Sequence, residues 1–229
     1  MSEPHGGNAL ISPAIPNWRS AKADVQRLPR GKHGIPREEI ERSQRGRIMR
    51  ACLEHLGTEG KVNVADIVRG AKVSRKAFYE LFEDCDACIA ESLVALNLIL
   101  GQEMLASIER GDSSEPTYKI RATVREFCEM ASEEPAITVA VAGTTYSLGH
   151  DTRQVWLEVL GARRAIILSY WEEARALDPG LPPTTPDRVM AATRFMEGRV
   201  LEEVAAGRAA ELPDAADRIA DSFIEVIGG

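Results

Sequence analysis

The run RIMRACLEHLGTEGKVNVADIVRGAKVSRKAFYELFEDCDAC, residues 47–88, decides the fold. Inside it, two short segments with helical apolar spacing are separated by a link that leaves room only for a tight turn. The first, Val64 to Ala71, follows Asn63, whose side-chain oxygen is placed to accept the orphan amide hydrogens of a helix start. After Lys72, Val73 and Ser74 comes RKAFYELF, residues 75–82, with Ser74 as its cap. Val64, Ile67, Val68, Ala71, Val73, Phe78 and Phe82 then form one small core. Short helix, turn and short helix is the helix-turn-helix pattern.

Upstream, Ile40, Ile48, Ala51, Cys52 and Leu56 predict a helix from Glu38 to His55 that ends near Gly57 and Gly60. Arg42, Arg45, Arg47 and Arg50 fall on its polar face. Before it lies RLPRGKHGIPREE, residues 27–39, basic and broken by Gly and Pro, with Pro36 at the first helical turn. Arg27, Arg30, Lys32 and Arg37 are candidates to track phosphates; a solvated leader is the alternative. Residues 1–26, with three prolines and little periodicity, predict a flexible arm. The expected organisation is an arm over 1–37, a helix-turn-helix domain over 38–84 and a helical body over 85–229.

That body predicts helices from residue 85, over about 117–132, 136–147 and 151–177, from Pro186 to about Ala206, and from Pro213 onward. Asp178, Pro179 and Gly180 close the longest, and Thr185 caps the one that Pro186 opens. No run shows the two-residue alternation of a strand, so the expected class is all-α.

A net charge of -7 argues against a polyanion partner until its distribution is considered. Residues 1–84 hold 15 Lys or Arg against 11 Asp or Glu, whereas the remainder holds 13 against 24. Between Arg27 and Lys76 the excess sharpens to 13 basic against 6 acidic residues. A basic reading head on an acidic body gives this asymmetry.

No stretch reaches the roughly 18 uninterrupted apolar residues of a membrane span, and no signal peptide pattern opens the chain. A cytoplasmic protein with no membrane partner, nucleoid-associated when bound to DNA, is expected. Four cysteines are too sparse for a disulfide scaffold. Cys85 and Cys88 form CxxC at a helix start but lack further zinc ligands, and they fit two small residues where this helix meets the first. His33, His55 and His150 show no metal or catalytic spacing, Ser147 is no nucleophile motif, and phosphate-binding Gly-rich loops are absent. Neither an enzyme nor a cofactor or metal is expected.

Residues 47–88 resemble the N-terminal domain of TetR-type transcriptional regulators. Ile67 and Val68 match the family's Ile-Ala pair; Ala71, Val73 and Ser74 match its Ala-Gly-Val-Ser turn; Phe78, Tyr79 and Phe82 match its Phe-Tyr-x-x-Phe signature. The resemblance implies a homodimer that grips palindromic operator DNA and is released by a small-molecule effector. Arg75 and Lys76 then open the recognition helix, with guanine edges as their natural acceptors and Glu80 one turn on facing a cytosine amino group. Tyr79 and Asn63 match positions that reach phosphates, although Tyr79 also fits packing and Asn63 a cap. Arg45, Arg47, Lys72 and Ser74 complete the expected DNA face. Lys72 stands where the family usually has Gly, in a turn that favours positive φ, at a cost of about 1 kcal/mol. Cys85 replaces a Lys that commonly contacts the DNA backbone, and the interval from Gly60 to Ile67 is about two residues short.

For the body, the resemblance implies a ligand pocket among the middle helices and dimerisation through the last two long ones. Phe127, Met130, Tyr146, Trp156, Tyr170 and Trp171 are candidates to line the pocket, with plain core packing as the alternative. The uncharged run AITVAVAGTTYSLG, residues 136–149, points to an apolar effector. Ala191, Ala192, Gly198 and Ala205 let helices approach closely, and Phe195, Val200, Val204, Ile219 and Phe223 supply apolar contact at the expected dimer seam. The competing expectation is a small-molecule binding protein of the same fold that has lost operator affinity.

Overall fold

The computed structural model describes residues 36–111, 114–143 and 150–229, excepting the side chains at 143 and 150–152. Nine α-helices and no strand occur among the described residues, so the expected all-α class is borne out. They are α1 (Arg37–Glu59), α2 (Val64–Ala71), α3 (Arg75–Leu81), α4 (Cys85–Arg110), α5 (Tyr118–Glu133), α6 (Pro135–Gly143), α7 (His150–Leu177), α8 (Pro186–Ala205) and α9 (Leu212–Gly228). A 3₁₀ turn, Ala209–Glu211, joins the last two.

Side-chain caps explain four of the nine helix starts among the described residues. Asn63 accepts from the amide of Asp66, Ser74 from Ala77, Asp84 from Ala87 and Thr185 from Arg188, each satisfying an orphan donor of a first turn. The α1 end falls at the second of the two glycines expected to stop it. Its helix runs through Gly57 and stops at Gly60, whose φ of 69° is the left-handed conformation that glycine adopts without penalty. Gly57 has another task, since a Cβ there would lie 1.7 Å from the carbonyl oxygen of Ala136. The missing side chain lets α1 and α6 touch backbone to backbone.

The head consists of α1, α2, α3 and the start of α4 around Ile48, Cys52, Leu56, Ile67, Phe78, Phe82 and Cys88. In the body α5 lies along α9 and α4, and α8 along α9. Phe127, Trp156, Trp171, Met196 and Phe223 fill its interior. The buried residues form one continuous cluster from Ile48 to Ile227, passing from head to body where α1 meets α6. By length and mean hydropathy α4 is apolar enough to cross a membrane, although polar residues interrupt its apolar run. Its buried face, Cys88, Ile89, Leu93, Leu96 and Leu100, belongs to the common core.

Candidate nucleic-acid interface

The turn between α2 and α3 is held by backbone bonds that converge on its tightest point. Lys72 adopts φ 54° and ψ 43°, the only positive φ outside glycine among the described residues. The Lys72 amide donates to Arg69 O, and the Val73 amide to Val68 O. With the turn closed, Phe78 is buried between Tyr79, edge-on at 5.3 Å, and Phe82, tilted at 5.6 Å. Burying that ring fixes which face of α3 points outward.

The outward face carries Lys72, Ser74, Arg75, Lys76, Tyr79 and Glu80, all exposed, with Tyr79 at 58%. Arg75 has no hydrogen-bond or ion-pair partner among the described residues, while Lys76 makes a loose 3.7 Å pair with Glu80 one turn later. Asn63 is occupied as a cap, and its amide nitrogen also donates to Asp66. Arg37, at the start of α1, bonds Glu41, which holds its guanidinium above the usual range, and Glu80 adds slightly to the effect. Arg27, Arg30 and Lys32 lie outside the described residues.

Two arginines expected on the DNA face are engaged inside the head. Arg45 donates to Leu81 O at the end of α3, pairs with Glu91 of α4, and lies over the Phe82 ring at 4.7 Å. Arg47 donates to Ala71 O, the last carbonyl of α2, at 2.8 Å, and burial pushes its guanidinium below the usual range. Helix C-termini present unpaired carbonyls at the negative end of the dipole, which a nearby guanidinium satisfies. Arg50, placed on the polar face by spacing, is instead buried at the α1–α6 joint, bonding Glu134 at 2.8 Å and Glu54 at 2.7 Å. No periodicity signals that role, because the deciding partner is 84 residues away.

The cysteines are thiols built into the packing. Cys88 meets Cys52 of α1, and that hydrogen bond together with burial drives its thiol strongly upward. Burial pushes Cys85 up to about 11, helped by Cys88, Asp84 and Asp86, and Cys128 up to about 12. All three stay protonated at neutral pH and are poor nucleophiles. No group of three metal-ligating side chains exists among the described residues.

Among the expected pocket residues, Phe127, Met130, Trp156 and Trp171 are buried in the core, and Trp171 donates to Pro182 O at 3.0 Å. Tyr170 is half-buried beneath the Lys119 ammonium, and Tyr146 lies outside the described residues. Of the expected dimer seam, Ala192 and Phe223 are buried inside the protomer, where α8, α9 and α5 pack, and Ile219 is largely buried in the wall of a groove. Ala191 and Phe195 are exposed; Gly198 and Val204 are half-buried, and nothing lies within 4 Å of a Cβ built on Gly198. Beside Phe195 a groove of about 310 Å³ runs between α8 and α9, lined also by Arg199, Glu203, Arg218 and Ser222.

The sequence matches no protein-family model and no curated protein. Solved structures do match. The fatty acid degradation regulator FadR from Bacillus halodurans aligns with a TM-score of 0.71 at 11% identity, covering 84% of this chain and 97% of its own. FadR from Bacillus subtilis, in complex with stearoyl-CoA, aligns at 0.66 and 13%, covering 79% and 98%. The regulatory protein TetR from Rhodobacter sphaeroides aligns at 0.63 and 22%, covering 79% and 96%. At such identities, what is shared is the fold.

Proposed function

We propose that this chain, which has the all-α fold of TetR-family transcriptional regulators, is a sequence-specific DNA-binding regulator of transcription. The observation that carries the reading is the first turn of α3, where Arg75 stands exposed without a partner among the described residues and Lys76 is only loosely paired. A helix offering its N-terminal cations on a buried aromatic footing fits the major groove, with Arg75 bidentate to guanine and Lys76 on a second acceptor. Lys72, Ser74 and Tyr79 surround them on the same surface and are proposed to hold phosphates, which set register without reading sequence.

The regulator acts as a homodimer and repressor. Its seam is the strip of α8 with exposed Ala191 and Phe195 and half-buried Gly198, supported by the open groove toward α9. Effector binding in the helical body releases operator DNA by altering the separation of the two heads. The FadR neighbour holding stearoyl-CoA supports a long apolar effector, in keeping with the apolar interior around Phe127, Met130 and Trp156.

Selection of bound sequences from random duplexes tests the reading. An inverted repeat with half-sites about one helical turn apart is expected. Failure to enrich any motif at low salt removes it. The half-buried, neutral Cys85 at the start of α4 supplies no phosphate anchor, and that favours the second reading, an effector-binding protein without operator affinity.

A further inference from the structure

In the middle of α7, the Nη1 atom of Arg163 is buried with no hydrogen-bond partner among the described residues. Its ion-pair partner, Glu197 Oε1 on α8, stands 3.7 Å away, beyond hydrogen-bond reach. The other oxygen of that carboxylate already accepts from Arg194 Nη1 at 2.9 Å. Two guanidinium groups thus share one carboxylate, leaving a surplus positive charge at a junction where the Arg163 side chain is 17% exposed and that of Glu197 6%. Burial pushes the Arg163 guanidinium below its usual range, against the pull of Glu197 and with the help of Arg194. An arginine stays charged even so. A desolvated cation without a matching acceptor is unfavourable, and a planar anion that fits the guanidinium fork removes the penalty.

The surroundings narrow the chemistry of that anion. Trp156 and Tyr170 stand two helical turns to either side of Arg163, so all three share one face of α7. Trp156 is buried and Tyr170 half-buried. Aromatic, cation, aromatic in that order suits an amphiphile, with an anionic head and an apolar remainder. Arg194, 42% exposed, gives the junction a side open to solvent.

We propose that the α7–α8 junction is an anion-binding site in which Arg163 takes the carboxylate or phosphate oxygens of an amphiphilic effector, with Arg194 and Glu197 as positioning residues. The proposal rests on the reading of the body as effector-binding and adds that the effector is charged.

Isothermal titration of the full chain with sodium decanoate and with 1-decanol, equal in length and differing in head group, tests it. Wild type is expected to bind decanoate about tenfold more tightly than decanol, and Arg163→Met to lose that preference while keeping its affinity for decanol. Arg163→Lys, which keeps the charge but not the fork, is expected to fall between and serves should the methionine variant fail to fold by circular dichroism. Equal binding of the two probes by wild type, or an undiminished preference in the folded variants, overturns the proposal. So does dissociation of a wild-type dimer by Arg163→Met in sedimentation, which assigns the acceptor to the partner subunit. Operator selection with wild-type protein is read separately. Its failure removes the regulator and leaves the decanoate result standing.

Discussion

In the head, Arg75, Lys76, Lys72 and Tyr79 stand in solvent on one surface, tied by little more than the loose contact between Lys76 and Glu80. In the body, Arg121 is bound by Glu115 and Asp221, Arg125 by Asp217, and Arg199 and Arg208 by Glu203. Exposed pairs of this kind contribute only about 0–1 kcal/mol each to stability. Their larger effect is to quench positive potential over a surface that is already acidic. On the α3 surface the cations are at most loosely paired, so their positive potential is not quenched in this way. Tyr79 stands 58% exposed beside those cations, whereas Phe127, Trp156 and Trp171 are enclosed in the body.

Between these regions lies the α1–α6 joint, and the largest effects are expected there. Gly57→Ala drives a methyl group into the carbonyl of Ala136 and is expected to cost about 3 kcal/mol in urea unfolding. Gly101→Ala, where nothing lies within 4 Å, is expected to be neutral or to stabilise by up to about 1 kcal/mol. Equal effects at the two glycines would break the claim that head and body meet backbone to backbone.

Nearly as large is Glu134→Ala, which removes a carboxylate facing buried Arg50, at an expected cost of about 3 kcal/mol. The double variant Arg50→Met with Glu134→Leu is expected to recover most of the loss, since it also removes the charge that would otherwise be stranded. If the double variant unfolds as readily as the single, the joint depends on the pair itself.

The contrast between head and body is sharpened by Arg75→Ala combined with Lys76→Ala. Operator affinity is expected to fall about 100-fold, while unfolding free energy moves by less than about 0.5 kcal/mol. Unchanged DNA binding by gel shift would favour the second reading of the function. Smallest is Lys72→Gly, which relieves a left-handed backbone and is expected to stabilise by about 1 kcal/mol. It should also flatten the salt dependence of operator binding by about one unit of slope, through loss of one phosphate contact. An unaltered slope would take Lys72 off the interface.

Several elements were legible without any structure. Val64 and Ala71 bound α2 in both, and Asn63, Ser74 and Thr185 cap the helices expected of them. Such features depend on groups within one helical turn. The small head core was legible for the same reason, as its apolar spacing is set within a few turns. Gly57 was misjudged because a glycine near a helix end signals termination unless the neighbouring helix is known. Phe223 and Ala192 looked suited to a dimer seam because apolar spacing marks a buried face without saying whether α5 of the same protomer or a second subunit covers it.

By itself, then, the sequence determined the helices, their caps, the strained turn at Lys72 and the cations that open α3. All of these follow from hydrogen bonds and steric limits along a few consecutive residues. Tertiary structure alone decided the separate fates of four arginines that look alike along one chain segment. Arg45 and Arg47 close the ends of α3 and α2, Arg50 latches head to body, and Arg75 stands exposed. A guanidinium on a long flexible stem takes whichever acceptor the fold brings within reach, and for Arg45 and Arg50 the carboxylate lies 46 and 84 residues away.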